Sequence, residues 1–96
     1  MTSKQRSKLM SLAQTIQPVI SIGKSALTPE LTEAVNEVFN TRELIKISIL
    51  QNCLEDKMEL AQTLADRTHS QLVQVIGKKI VLYRQAKDPK DRKIEL

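Results

Sequence analysis

The sequence has little of what catalytic and metal sites require. Its 96 residues include one cysteine, Cys53, and one histidine, His69. A single thiol excludes an internal disulfide, and a zinc site needs several cysteine or histidine ligands at close spacing. His69 follows a predicted helix, as surface or capping residues do, and Cys53 is typical of a small packed side chain. We therefore expect no enzymatic activity, no metal and no cofactor.

Aromatic side chains and glycines are also scarce. Phe39 and Tyr83 are the two aromatic residues, which disfavours recognition of RNA by rows of exposed stacking rings. The segment Gly23–Ser25 matches the end of a nucleotide-binding P-loop, G-x-x-x-x-G-K-[ST]. The first glycine of that motif falls on Pro18, which has a fixed φ and no N–H. The chain therefore lacks a P-loop.

Long apolar runs are absent, and charge is unevenly distributed. No run is long enough to cross a bilayer, and the apolar part after the basic N-terminus is too short for a signal peptide, so we expect a cytoplasmic protein. The net charge is +4, with four basic and no acidic residues in 1–24, four basic and eight acidic in 25–76, and seven basic and three acidic in 77–96. If the two basic ends converge, they form one positive face suited to a polyanion.

Hydrophobic periodicity predicts helices that alternate with strands and a closing hairpin. The predicted segments are a helix from Thr2 or Ser3 to Pro18, a strand at 19–22, a helix capped by Thr28, a strand at 44–50, a helix from Asn52 to about Thr68, and two strands around Gly77 and Lys78. Strands joined by helices favour parallel pairing, and the hairpin adds an antiparallel strand. We predict an α/β fold, a two-layer α+β sandwich with a four-stranded mixed sheet over residues 1–85, and a mobile basic tail at 86–96.

The predicted helices have distinct apolar and charged faces. The first helix is expected to bury Leu9, Leu12, Ala13 and Ile16, and the third Leu54, Met58, Ala61, Leu64 and Ala65. Three acids line the outer face of the second helix: Glu30, Glu33 and Glu37. That face is expected to repel nucleic acid.

The candidate binding residues are cations near predicted turns. Lys24 precedes the N-terminus of the second helix, where free N–H groups favour an anion. Lys78 and Lys79 lie at the hairpin, and Arg84 follows its second strand. The other two candidates, on the polar face of the first helix, are Lys4 and Lys8.

Three stretches of the sequence, "IGKSALTPEL", "RELIKISI" and "VIGKKIVLYR", resemble the YhbY family, which comprises stand-alone bacterial forms of the chloroplast RNA-splicing and ribosome-maturation (CRM) domain. The similarity extends from about Lys4 to Arg84. It implies the order α-β-α-β-α-β-β, a fold similar to the C-terminal domain of a bacterial translation initiation factor, and RNA as partner. In bacteria it further implies association with precursors of the large (50S) ribosomal subunit, that is, ribosome biogenesis.

The resemblance and the charge pattern together define an expected RNA site. The expected contacts to the RNA backbone are Gly23, Lys24, Ser25, Lys78, Lys79 and Arg84, supported by Lys4 and Lys8. The family's G-x-x-G loop maps onto residues 23–26, with Ala26 in place of the last glycine. We expect Ala26 to keep a negative φ and Gly23 to need the unusual one. The protein is expected to act as a monomer without a small-molecule substrate or a membrane. The alternative is a small adaptor that binds a protein partner, with RNA contact incidental.

Overall fold

The computed structural model describes residues 1–96, which form three α-helices, a four-stranded sheet and one turn of 3-10 helix. The elements are α1 (Ser3–Ala13), β1 (Ile20–Ile22), α2 (Pro29–Phe39), β2 (Leu44–Ile49), α3 (Lys57–Arg67), β3 (Gln71–Ile76), β4 (Lys79–Tyr83) and the 3-10 turn (Pro89–Asp91). This order confirms the one predicted from the sequence. No helix is long and apolar enough to span a bilayer.

The sheet is mixed, as predicted, in the strand order β1-β2-β4-β3. β1 pairs with β2 in parallel, and β4 pairs antiparallel with both of its neighbours. The hairpin therefore places β4 beside β2 and leaves β3 at the edge. The carboxyl ends of β1, β2 and β3 and the start of β4 all meet at one end of the sheet, which we call the loop end.

Both faces of the sheet are covered. On one face, α2 and α3 pack on a core of 12 buried residues that includes Ile45, Ile47 and Leu82. On the other face, Leu9 and Ala13 of α1 pack against the strand side chains that point away from α2 and α3, among them Val81. α1 thus lies on the face opposite α2 and α3. The predicted α+β class holds, but because strand alternation gives the sheet apolar side chains on both faces, the fold has three layers and not the two predicted.

Helix starts follow the caps in two cases of three. Thr2 forms a capping box with Gln5 at α1, and the Thr28 hydroxyl accepts the Leu31 N–H at 3.1 Å at α2. The third helix does not begin at Asn52. Its cap is Asp56, which accepts the Glu59 N–H at 3.0 Å.

The later start of α3 changes which apolar residues are buried. The Leu50 N–H donates to the Ile22 carbonyl at 2.8 Å, so the chain still follows the sheet after β2 ends. Leu54 consequently lies in the connecting loop with 94% of its surface exposed, and Met58 is 58% exposed in the first turn of α3. Both were predicted to be buried. Leu12, also predicted to be buried, is exposed although it lies within α1, and α1 ends at Ala13, well before Pro18.

The C-terminal tail, predicted to be mobile, is held by a buried carboxylate. Glu43 accepts the backbone N–H of Ala86 at 2.9 Å through Oε2, and those of Lys93 at 2.6 Å and Ile94 at 3.1 Å through Oε1. Ile94 packs against the α1 side of the core. Burial by itself raises the pKa of Glu43, but these hydrogen bonds and the charge of Arg92 outweigh it and lower the pKa below its ordinary value.

Candidate nucleic-acid interface

The loop end of the sheet is formed by three segments that hydrogen bonds hold together. The loop after β1 is fixed to β2 by the bond from Leu50 N–H to the Ile22 carbonyl. The hairpin is fixed to β2 from the other side, because the Ile49 N–H donates to the Lys78 carbonyl at 2.7 Å. Two turns that carry lysines therefore flank the end of one central strand.

Three of the predicted lysines meet here. Lys24 is exposed in the turn after β1, and Lys78 is exposed in the hairpin, where Gly77 supplies a φ of 55°. Lys79 begins β4, and its Nζ donates to the Ser48 hydroxyl at 3.0 Å. β1 and β4 lie on either side of β2, so their backbones are about 10 Å apart. That spacing allows one RNA segment to contact both turns.

A fourth lysine of this surface was not among the sequence candidates. Lys46 is half-buried on β2, two residues before Ser48. Since alternate residues of a strand point the same way, both side chains lie on the face of the sheet that α1 covers. The sheet register aligns Lys46 with Val81, and Ser48 with Lys79. Strand alternation predicts on which face of the sheet Lys46 lies. That this part of the face is not covered by a helix follows only from the packing of α1.

The conformation of the glycine loop differs from the expectation. Ala26 has a φ of 53°, in the left-handed region, and Gly23 is not among the residues with positive φ. A Cβ at Gly23 would lie 3.6 Å from Asn52 Oδ1 and 3.7 Å from Leu50 Cδ1, which is ordinary contact. The special conformation therefore belongs to the position where the family has its second glycine, and here alanine adopts it.

Ser25 lies on the acidic side of the loop. It lines a cavity with three acids at the start of α3, Glu55, Asp56 and Glu59, and with one cation at the end of α3, Arg67. These acids complement the positive end of the helix dipole, but they repel phosphate. The positive surface at Lys24 therefore has a boundary at Ser25.

Arg84 is occupied elsewhere. Its guanidinium donates to Asn36 Oδ1 at 3.0 Å and to the Thr68 carbonyl at 2.9 Å. Its Cζ lies 4.7 Å from the centroid of the Phe39 ring, and burial lowers its pKa. It lies at the end of β4 remote from the loop end. The interface proposed below therefore leaves Arg84 out.

Lys4 and Lys8 are also distant from the other lysines. Arg6, between them on α1, donates to the Leu72 and Val73 carbonyls at 3.0 and 2.8 Å, near the start of β3. The N-terminal half of α1 thus lies over the end of the sheet opposite the loop end. Lys8 Nζ donates to the carbonyl of Glu95 in the tail. Three of the predicted lysines therefore lie at the loop end, and the other predicted cations lie elsewhere.

Exposed apolar side chains surround the loop end. Leu50 and Leu54 project from the loop between β2 and α3, and Ile76 ends β3 with 56% of its surface exposed. The chain has no group of three His, Cys, Asp or Glu residues able to hold a metal ion. The surface thus combines lysines and apolar groups, which suits binding of a macromolecule.

Comparisons with known proteins agree with this fold and surface. The chain is 43% identical over its whole length to the probable RNA-binding protein YqeI of Bacillus subtilis, of which it covers 98%. It is 30% identical over 93 residues to the probable RNA-binding protein PA4753 of Pseudomonas aeruginosa, covering 97% of this chain and 88% of that protein. These descriptions are of binding proteins and name no catalytic activity.

A solved structure and a family profile complete the comparison. The solution structure of the hypothetical protein SAV1595 from Staphylococcus aureus superposes with a TM-score of 0.82 at 43% identity, over 99% of each chain. The profile of the CRS1 / YhbY (CRM) domain matches residues 1–84, which confirms the resemblance drawn from the three sequence stretches. The chain therefore belongs to the CRS1/YhbY (CRM) domain family.

Proposed function

We propose that this chain binds structured ribosomal RNA through its phosphate backbone and assists assembly of the large ribosomal subunit. The observation that carries the proposal is the placement of Lys24, Lys78 and Lys79 on two turns that flank the end of β2. The relatives named as RNA-binding proteins support RNA as the partner. In this role the protein acts as a cytoplasmic monomer without a cofactor.

The lysines give the proposal a quantitative test. Each phosphate neutralised lowers the slope of log affinity against log salt by roughly 0.7 to 0.9. About three contacts, one for each lysine of the two turns, give a slope of about −2.1 to −2.7. Fluorescence anisotropy with fragments of large-subunit ribosomal RNA measures this slope. Lys24→Glu is expected to flatten it by about one unit and to weaken all RNAs alike.

A matched charge reversal separates the site from net charge. Lys4→Glu changes the total charge equally, but it lies on α1 at the opposite end of the sheet. It is expected to alter the slope by far less than Lys24→Glu. Equal effects of the two reversals would contradict a site at the loop end. Crosslinking in cells, followed by sequencing of the bound RNA, tests the ribosomal target, and sedimentation with precursor particles tests the assembly role.

The exposed apolar loop between β2 and α3 favours a second candidate, an adaptor that binds a protein. Leu54 is almost fully exposed, and Leu50 and Met58 are exposed close by in sequence. A protein partner that buries these side chains would explain their exposure. The double variant Leu54→Ser, Met58→Ser distinguishes the candidates. Loss of a protein partner with an unchanged salt slope for RNA would favour the adaptor.

A further inference from the structure

A cavity lies between the C-terminal end of α1 and the sheet, beside the lysines of the loop end. Its volume is about 300 Å³, at the small end of ligand pockets. Its apolar part is formed by Met10 and Ala13 of α1, Ile76 of β3 and Val81 of β4. Such a site is suited to a flat fragment rather than to a whole nucleotide cofactor.

The rim of the cavity is polar. It is formed by the Gln14 and Gln74 amides and by Lys46. On this face of the sheet the nearby lysine, Lys79, is hydrogen-bonded to Ser48. Gln14 is exposed, Gln74 and Lys46 are half-buried, and all three line the cavity, where a ligand can contact them. Amides pair well with the edges of nucleobases, because each carries both donors and an acceptor.

A β-bulge turns Gln74 into the cavity. Leu72 pairs with Leu82 and Gln74 with Val81, so the register shifts between them and Val73 is the extra residue. Val73 is buried against α1, and Gln74 faces the same side instead of the opposite one. Without the bulge, strand alternation would turn Gln74 away. Bulges often direct a side chain to a functional position in this way.

The bulge is braced by a specific contact. One nitrogen of Arg6, Nη1, donates to both the Leu72 and Val73 carbonyls, at 3.0 and 2.8 Å. These two carbonyls belong to the part of β3 where the ladder is interrupted. Arg6 therefore stabilises the register shift that places Gln74 at the rim.

The cavity adjoins the surface assigned to phosphate binding. Lys46 and Val81 form one register pair across the sheet, and Ser48 and Lys79 form the next pair on the same face toward the loop end. Two residues along a strand span about 7 Å. A nucleotide with its phosphate at Lys79 can therefore direct its base toward the cavity.

We propose that this cavity receives one unpaired base of the bound RNA. The inference rests on the proposed RNA-binding function and adds a preference for base identity to it. Lys46 offers donors only, so it favours a base that presents a carbonyl oxygen, guanine, uracil or cytosine, over adenine, whose acceptors are ring nitrogens alone. Single-stranded loops and bulges supply such splayed bases, and duplex RNA does not.

Single-stranded oligoadenylate of twelve nucleotides provides the probe. Its three central positions are changed to guanine, to uracil or to abasic sites, and binding is measured by fluorescence anisotropy at one salt concentration. The guanine or uracil probe is expected to bind on the order of tenfold more tightly than the adenine or abasic probe. Gln74→Leu is expected to abolish this preference while keeping the salt slope, and Gln14→Leu to reduce it.

Two controls separate the possible failures. Gln71→Leu changes the same residue type on the same strand at the end away from the cavity, and it is expected to keep the preference. Lys24→Glu is expected to weaken all probes and to keep their ratio. Equal binding of all four probes by the wild-type protein, or loss of preference in both glutamine variants of β3, overturns the base site but leaves phosphate binding intact. Failure of every probe and every ribosomal fragment to bind overturns both proposals.

Discussion

The guanidinium of Arg84 lies over the ring of Phe39, 4.7 Å from its centroid, and donates to Asn36 on the same helix. It also donates to the Thr68 carbonyl at the end of α3. One side chain, just after the end of β4, thus connects the C-terminal halves of α2 and α3. Its planar fork of donors fits this arrangement, and a lysine ammonium does not reproduce it.

Arg84→Lys is therefore expected to lower stability without affecting RNA binding. Loss of the hydrogen bonds should cost roughly 1–3 kcal/mol in the free energy of unfolding by urea. The salt slope of RNA binding should stay as in the wild type. Lys78→Ala, an exposed change at the hairpin, should give the opposite pattern, with a flatter slope and stability within about 0.5 kcal/mol. Arg84→Gln, which also removes the charge, should keep the wild-type slope, and a flattened slope in that variant would return Arg84 to the interface.

Glu43 makes stability depend on pH. The pKa of its carboxyl is lower in the folded than in the unfolded chain, so its contribution is present above the unfolded value of about 4.3 and is lost as pH falls through the folded value. Glu43→Gln should cost roughly 1–3 kcal/mol at pH 7, and the difference from wild type should shrink below pH 4. Urea titrations between pH 7 and 3 measure this. Glu37→Gln, on the exposed face of α2, serves as the control and should show no such trend.

Removal of the carboxylate should also release the tail. Glu43 holds the N–H groups of Lys93 and Ile94, so hydrogen exchange at these two amides should accelerate in Glu43→Gln. Exchange at Ile47, in the centre of the sheet, should change less. If the Lys93 and Ile94 amides already exchange fast in the wild-type protein, that result would instead support the mobile tail predicted from the composition.

The Tyr83 hydroxyl is buried and has no hydrogen-bond partner. Burial raises the pKa of this phenol, and the nearby charge of Glu43 adds to the effect. A buried hydroxyl without a partner costs about 1–3 kcal/mol, and its removal leaves the ring in place. Tyr83→Phe is therefore expected to raise the free energy of unfolding by about 1 kcal/mol with an unchanged denaturant m-value. A loss of stability would show that the hydroxyl has a favourable interaction.

The acids beside Ser25 should limit RNA affinity. Glu55 is exposed and lines the same cavity as Ser25, next to the turn that carries Lys24. Glu55→Gln removes a like charge from the approach of phosphate, so affinity should rise about two- to threefold in dilute salt and return to the wild-type value when salt screens the charge. Glu33→Gln, on the outer face of α2, makes the same charge change away from the interface and should leave affinity nearly unchanged.

The fold was predictable where local signals agreed. Thr28 and Pro29 mark the start of α2 by a cap and a preset φ, and the structure follows both. The start of α3 was not predictable in this way, because Asn52 and Asp56 are both good N-cap residues. Which of the two caps the helix depends on a contact between residues distant in sequence. The bond from the Leu50 N–H to the Ile22 carbonyl keeps Leu50 on the sheet, and a turn closed by the Cys53 N–H and the Leu50 carbonyl at 3.1 Å then takes up Asn52, so the helix begins later.

The site was predictable only in part for a similar reason. Lys78 and Arg84 are both cations at the ends of β4, and the sequence pattern does not distinguish them. The difference comes from partners far along the chain, since Asn36 is 48 residues from Arg84. Lys46 was not predicted as a binding residue, because a lysine within a strand by itself indicates only a solvated position. Which part of that sheet face α1 leaves accessible depends on how α1 packs.

Ala26 and His69 share a φ of 53°, a conformation that costs most L-residues about 1–2 kcal/mol relative to glycine. His69 follows the end of α3, where the Ser70 N–H donates to the Ala65 carbonyl at 2.9 Å and closes the last turn. Glycine is the usual residue at such a position. The two sites therefore form a matched pair, one at the proposed interface and one away from it.

Ala26→Gly and His69→Gly should each raise the free energy of unfolding by roughly 0.5–1 kcal/mol, since relief of strain exceeds the added entropy of the unfolded chain. Ser25→Gly, at negative φ, should instead lower stability. RNA affinity tests whether the Ala26 methyl also obstructs the backbone of a ligand. An affinity gain in Ala26→Gly but not in His69→Gly would mean that the methyl restricts the approach of phosphate to Lys24. Equal affinities would mean that strain at Ala26 affects stability alone, and that phosphate approaches the loop on the Gly23 side.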